Sequence, residues 1–341
     1  MKENLPLKNI PLPDYNQYKF DLCNLHTLSL PLNIIPFVSK GNLILLPAPL
    51  KQQKKGWPWD EESAVEFADK SLAPKLSIVI PSYQQGFFIE ETIRSILMQN
   101  YPNLELIIID GGSTDETISI LEYYKDFIST YISEKDRGQA HAINKGFSLA
   151  SGEIYYWINS DDYLNINSLN KVISKFLQYP NLDIIYGDGY TFNEHTQQLR
   201  YDFASWVTER YLRFGGIVLS HSVLWKSKIH CSIWEEIHCA MDAELWLRLF
   251  KNRKTKHFHF PIGTSRIHSC QKTSDMKAWS EKWKEDYQKN IWKFYPPINS
   301  VKWKWRTVEY RLVQRIYQFL TRKRKLKEKF FKIKHFVPTT Y

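Results

Sequence analysis

The stretch from Lys75 to Phe192 constrains this chain more than anything else in it. Four short apolar runs, "KLSIVIPSY", "YPNLELIIID", "TYISEK" and "EIYYWINSDD", alternate with segments of helical periodicity. Short runs rich in β-branched residues suit strands buried on both faces. Between the first two, "GFFIEETIRSILMQ" puts Phe88, Ile89, Ile93, Ile96 and Leu97 on one broad face. "GGSTDETISILEYYKDF" and "GQAHAINKGFSLA" follow as a Gly turn with its helix and a further helix. Strand, helix and strand at this spacing make βαβ units. "NSLNKVISKFLQ" and "LDIIYGDGYTF" extend the series by one helix and one strand. The class is α/β, a mostly parallel central sheet flanked by helices, of the kind that binds nucleotides.

Open α/β sheets bind ligands outside the carboxyl ends of their strands. Three strand ends carry chemistry there. Pro81 stops the first run, with Tyr83 just past it, where a ring can stack on a base or stand idle in a loop. Asp110 precedes the Gly111-Gly112 turn, and Ser113 with Glu116 fits a capping box for the next helix. That carboxylate can accept hydrogen bonds from a base or ribose, or serve the turn alone. Asp161 and Asp162 end the fourth run side by side. Two like charges need a cation, and hard oxygen ligands suit Mg²⁺ or Mn²⁺; the plainer reading is an acidic turn. Asn159 and Ser160 can hydrogen-bond ribose or phosphate.

Further along, "MDAELWLRLFK" reads as a buried helix opened by Asp242, with Glu244 and Arg248 spaced to pair at i,i+4. Asp242 is either a helix cap or a general base beside a partly dry pocket. Arg266, His268 and Lys272 follow the last expected strand, "TKHFHF", and can meet phosphate charge. The turn "DGGSTD" lacks the G-x-G-x-x-G of dinucleotide oxidoreductases.

Together these residues resemble the inverting glycosyltransferases of family 2, which have the GT-A fold. The resemblance runs from about Leu76 to Thr273, carried by "SIVIPSY", "SILMQNYPNLELIIIDGGSTDET", "EKDRGQAHAINKGFSLASGEIYYWINSDDYL" and "MDAELWLRLF" in the family's order. It implies transfer of a sugar from a nucleotide-diphosphate donor to an acceptor hydroxyl, with inversion, in envelope polysaccharide or glycolipid synthesis. Pro81, Tyr83, Asp110, Gly112, Arg137, Asn159, Ser160 and Asp161 would then hold the nucleotide sugar. Asp161, Asp162 and His268 would hold Mg²⁺ or Mn²⁺, and Asp242 takes the place of the catalytic base. Trp206, His221 and Ser222 are the acceptor candidates. The sequence departs from the family pattern at Asn159, where the metal motif begins with Asp, at Gly111, where many members carry a second Asp, and at Met241, where a Glu precedes the base. A non-catalytic nucleotide-sugar- or carbohydrate-binding protein on the same fold is the alternative.

The resemblance leaves both ends of the chain uncovered. Residues 1–74 read as a Pro-rich segment with "KQQKKGWPWDEES" as linker, 75–275 as the GT-A domain, and 276–341 as a basic helical region. The net charge is +10, yet residues 301–341 hold 13 Lys/Arg against two Asp/Glu, and the first 300 hold 33 against 34. Basicity confined to one end, with no nucleic-acid-binding fold, argues against a nucleic-acid partner. Eight Lys/Arg between 322 and 334, interleaved with Phe330, Phe331, Ile333 and Phe336, suit an anionic membrane surface reached through residues 311–336. The four scattered cysteines read as reduced thiols, and the first 20 residues lack the apolar run of a secretory signal. The expected place is the cytoplasm, peripheral on the inner face of the membrane, with a saccharide or lipid-linked acceptor.

Overall fold

A computed structural model describes residues 34–286 apart from 38–39, 52–53, 68–69, 208–211, 213–217, 238, 240 and 272–275, and then residues 305, 308–317, 319 and 320. The four expected strands are β1 (Leu76–Ser82), β2 (Leu104–Asp110), β3 (Thr130–Ser133) and β4 (Ile154–Trp157), all parallel in the order β3-β2-β1-β4. β1 and β2 are buried at every residue, as their apolar composition requires. Ser82 pairs with Asp110, and Asp110 with Ser133, so three strand ends meet on one edge. Pro81 does not stop β1, which runs on to Ser82. By that point β4 has ended, so the missing N–H of Pro81 falls where β1 has a neighbour on one side only.

Beyond β4 the pairing changes. β5 (Tyr163–Leu164), β6 (Ile184–Asn193), β7 (Gln198–Asp202), β8 (Val223–Lys226) and β9 (Thr255–Ile267) continue the sheet as β4-β8-β6-β9-β5, with β7 on β6. Only the β6–β9 pair is parallel there. The expected "TKHFHF" strand is the first half of β9, which runs past two register shifts to Ile267 and so delivers Arg266 and His268 next to β5.

Helices cover both faces. In this numbering α1 is Ile89–Leu97, α2 Thr117–Tyr123, α3 Gln139–Leu149, α4 Ser168–Gln178, α5 Met241–Leu249 and α6 Met276–Asp286. Side chains alternate along a strand. Ile78, Ile80, Leu106 and Ile108 therefore join Ile93, Leu97, Ile120 and Ile173 in one core. Val79, Ile107, Ile109 and Trp157 join Ile143, Phe147, Trp225 and Trp246 in the other.

The expected linker is part of the body. The described residues among 40–67 lie as irregular chain across α1, held by buried polar side chains on that helix and just past its end. Arg94 is 1% exposed and donates to the carbonyls of Pro47 (3.0 Å), Pro58 (3.2 Å) and Trp59 (2.8 Å) and to the Tyr124 hydroxyl (3.1 Å). Asn100 donates to the Ser63 carbonyl (2.6 Å) and accepts from the Asn42 amide (2.7 Å). Irregular backbone survives against a core only when its carbonyls find donors. Arg94→Met strands three carbonyls at once and is expected to lower the unfolding free energy by about 2–4 kcal/mol, read by denaturant titration. A loss near zero would show the strap to be held by something else.

The far end docks too. Tyr310 and Ser205 share a hydroxyl hydrogen bond (2.8 Å), and Gln314 bonds the Trp206 backbone at both N–H (2.9 Å) and C=O (2.6 Å). Among the described residues no helix is long and apolar enough to cross a membrane.

Candidate active site

The carboxyl edge of β1, β2 and β4 brings most of the singled-out residues together. Asp110 is fully buried and committed to its own turn. Its Oδ1 accepts from the Ser113 hydroxyl (2.5 Å), and its Oδ2 from the N–H of Gly112 (3.0 Å) and Ser113 (2.8 Å) and from the Ser133 hydroxyl (2.7 Å). Gly112 sits at φ 84°, where a side chain is strained. The expected capping box does not form: the Ser113 hydroxyl donates to Asp110 and accepts from the Gln84 N–H (2.7 Å), and Asp115 instead accepts from the Thr117 N–H at 3.0 Å. Tyr83 stands 60% exposed beyond β1, free to stack, while Pro81 is buried within the strand.

Asp136 was not foreseen. A Cβ on Gly111 would lie 2.9 Å from Asp136 Oδ2. The carboxylate missing from position 111 is thus supplied from the loop before α3, where Asp136 also accepts from the Gly138 N–H (2.7 Å). The signal was there in "EKDRG", but only the fold brings that loop over Gly111. Arg137, beside it, is exposed and pairs with Glu235 at 3.0 Å. Burial pushes the Glu235 carboxyl up to about 7.

Asp161 and His268, 107 residues apart, meet with Oδ2 and Nε2 at 3.1 Å. The Phe88 ring packs on the imidazole, 4.2 Å between centroids. Asp162, expected beside them as a ligand, turns the other way. It is 4% exposed, and its carboxylate accepts from the Asn159 amide (3.2 Å) and the Arg266 N–H (3.1 Å). Burial and then the charge of Asp161 hold it well above the usual carboxylate range. Arg266 fixes the bend: its Nε donates to the Asp161 carbonyl (2.7 Å), and its two Nη atoms pair with Glu91 (2.7 Å) and Glu194 (2.6 Å). Ser160 is buried in the same bend, its carbonyl accepting from the Thr92 hydroxyl (2.8 Å). Lys272 lies outside the described residues.

Asp242 opens α5 half-buried, its Oδ1 accepting from the Ala243 N–H (2.8 Å). The helix is anchored by Leu245, Trp246 and Leu249, and by the Glu244–Arg248 pair, which forms as expected but buried. Trp246 stacks on Trp157, 6.3 Å between centroids at 24°, and the Trp157 indole N–H donates to Asn159 (3.0 Å). One residue therefore links the helix of Asp242 to the bend of Asp161.

The acceptor candidates separate. Trp206 is exposed on one side and held on the other by Gln314 of the C-terminal helix, residues 308–317. His221 and Ser222 are packed inside the sheet, where Gly189 and Gly263 leave room for the imidazole, and burial pushes the His221 ring down to about 4. No acceptor reaches them there. A second group, Asp188, His257 and His259, has ligand atoms within 4.8 Å of one another, a spacing a metal ion would accept. In the structure His257 bridges Asp188 (2.9 Å) and the Tyr317 hydroxyl (2.6 Å), and Tyr317 reaches His259 (3.2 Å), so the group ties down the C-terminal helix.

Residues 77–234 match the family described as glycosyl transferase family 2. An uncharacterized glycosyltransferase of Rickettsia prowazekii is 27% identical over 216 residues, 59% of this chain and 67% of that protein. Glycosyltransferase GlyG of Streptococcus pneumoniae is 31% identical over 126 residues, 36% of this chain and 42% of its own. Chondroitin synthase of Escherichia coli is 25% identical over 67% of this chain, which spans only 34% of that protein. Staphylococcus aureus TarS 1–349, solved with UDP-GlcNAc, superposes with a TM-score of 0.52 at 19% identity, covering 69% of this chain and 71% of that one.

Proposed function

We propose, on the premise that residues 77–234 are a glycosyl transferase family 2 domain on a GT-A fold, that this chain moves a sugar from a nucleotide-diphosphate donor to an acceptor hydroxyl with inversion. The observation that carries the proposal is the Asp161–His268 pair at 3.1 Å on the edge where Asp110 ends its strand and Tyr83 follows the end of β1. The UDP-GlcNAc held by TarS supports a donor of the same chemical class here. Tyr83, exposed beyond β1, would stack on the base, and Asp136, filling the space over Gly111, is added to the residues that would read it.

An oxygen and an imidazole nitrogen at this spacing fit one divalent ion, and the mixed donor set suits Mn²⁺ better than Mg²⁺. Asp161 and His268 would hold it, leaving its other positions to diphosphate oxygens. Bound there, the ion supplies positive charge against the leaving diphosphate. Asp242 takes the proton of the acceptor hydroxyl as that oxygen attacks the anomeric carbon opposite the departing phosphate. Arg266 and Asn159 hold the bend that presents Asp161. The Escherichia coli relative, a chondroitin synthase, supports a polysaccharide acceptor. Release of nucleoside diphosphate from nucleotide sugars, with and without Mn²⁺, tests the proposal.

The acceptor side extends to an anionic membrane surface. Helical residues 308–317 bury Tyr310 and Gln314 against the domain, and leave Val308, Leu312 and Ile316 each more than half exposed in line with Trp305, Phe319 and Leu320. Arg311 and Arg315 flank that stripe, and the basic run 322–334 follows it in the sequence, outside the described residues. An apolar face edged by cations fits anionic lipid, each basic residue adding about 1 kcal/mol near the surface. The full chain is expected to co-sediment with phosphatidylglycerol-containing vesicles and not with phosphatidylcholine alone. A Leu312→Glu, Ile316→Glu chain should pellet several-fold less; equal pelleting would count against this face.

A further inference from the structure

We infer that Asn159 is a positioning residue whose amide, and not a carboxylate, is required for Asp161 to present its oxygen to a divalent ion. The inference rests on the metal reading above and assigns position 159 a different part from the ribose contact expected of it. Asn159 Oδ1 accepts two hydrogen bonds, from the Trp157 indole (3.0 Å) and the Gln139 amide (2.8 Å). Two donors on one oxygen fix which way the amide faces. Its Nδ2 then points at Asp162 Oδ2, 3.2 Å away, and donates. The other oxygen of Asp162 takes the Arg266 N–H (3.1 Å), and the Asp162 N–H closes the turn on the Asn159 carbonyl (3.2 Å). Asp162 is thereby held inward, and Asp161, the next residue back, is left facing His268.

An Asp at 159 would satisfy Trp157 and Gln139 with one oxygen. Its second oxygen would lie against Asp162 Oδ2 and bring no hydrogen of its own, where the amide now donates one. Three carboxylates within four residues then repel, and the relief open to them is to swing Asp162 or unwind the bend, which moves Asp161. Only a side chain that accepts on one side and donates on the other fits both neighbours, and Asn does so at this length. The departure from the family pattern at 159 is, on this account, a matched part of the bend.

The test is Mn²⁺ affinity of the full chain, read from the electron paramagnetic resonance signal of free Mn²⁺, for wild type, Asn159→Asp and Gln139→Leu. Loss of an outer partner of a metal ligand typically weakens metal binding about 10–100-fold. Asn159→Asp is expected to fall in that range, with its melting temperature near wild type and the Mn²⁺ requirement for turnover rising more than kcat falls. Gln139→Leu, which frees the amide without adding charge and covers the case of a misfolded Asn159→Asp, should weaken binding several-fold. Mn²⁺ bound by Asn159→Asp as tightly as by wild type, or more tightly, would overturn the inference, as would an unchanged affinity in Gln139→Leu. A wild-type chain that binds no Mn²⁺ overturns the metal reading itself, and this inference with it.

Discussion

Asp242→Asn is expected to lower sugar transfer by about 10²–10⁴-fold while nucleotide-sugar binding stays within about twofold, the range a single positioned base supplies. The amide keeps the shape of the carboxylate and its bond from the Ala243 N–H, so α5 has no reason to move. Trp246 remains stacked on Trp157, and the Asp161 bend is untouched. What is lost is the carboxylate proposed to accept the acceptor's proton. Calorimetry on the donor and release of nucleoside diphosphate separate the two effects. Activity near wild type would remove Asp242 from the role, and loss of both binding and turnover would make it structural.

Asp161→Ala is expected to abolish Mn²⁺ binding and lower transfer by at least about 10²-fold, since a metal offsetting leaving-group charge supplies several kcal/mol. Thorough chelation of wild type should match it. The apo protein should not be weakened in return. Asp162 is held above its usual carboxylate range, by burial first and by Asp161 second. Such a group favours the fold at low pH and loses that contribution as pH rises through its range. Removing the charge of Asp161 narrows that loss, so apo Asp161→Ala should melt no lower than wild type at neutral pH. Full activity after chelation would contradict the metal reading.

The parallel half of the sheet was legible because apolar β-branched runs ended by Gly, Pro or Asp leave few alternatives. The meeting of Asp161 with His268 followed from motif order, although 107 residues separate them. Other features were hidden for stated physical reasons. Residues 40–67 carry no periodicity, and what holds them is Arg94 on α1, whose sequence reads as ordinary amphipathic helix, and Asn100 just past its end. Asp162 looks equivalent to Asp161 in "NSDD"; the Arg266 N–H, more than 100 residues later, and the Asn159 amide together turn Asp162 inward. Gly111 read as a lost carboxylate, and the loop of Asp136 supplies one in that space. His221 and Ser222 look like polar loop residues, yet Gly189 and Gly263 open a buried slot for the ring.

The most direct measurement is a thermal-shift panel of UDP-, GDP-, ADP- and dTDP-sugars on wild type and Asp161→Ala, each with and without Mn²⁺. A ligand that binds only the folded state at 100 times its Kd adds about 2.7 kcal/mol of stability, a readable shift. A metal-dependent nucleotide-sugar transferase should shift with one base class, more with Mn²⁺ than without, and the Mn²⁺ gain should vanish in Asp161→Ala. No shift with any nucleotide sugar, or an equal Mn²⁺ gain in both proteins, would contradict the account.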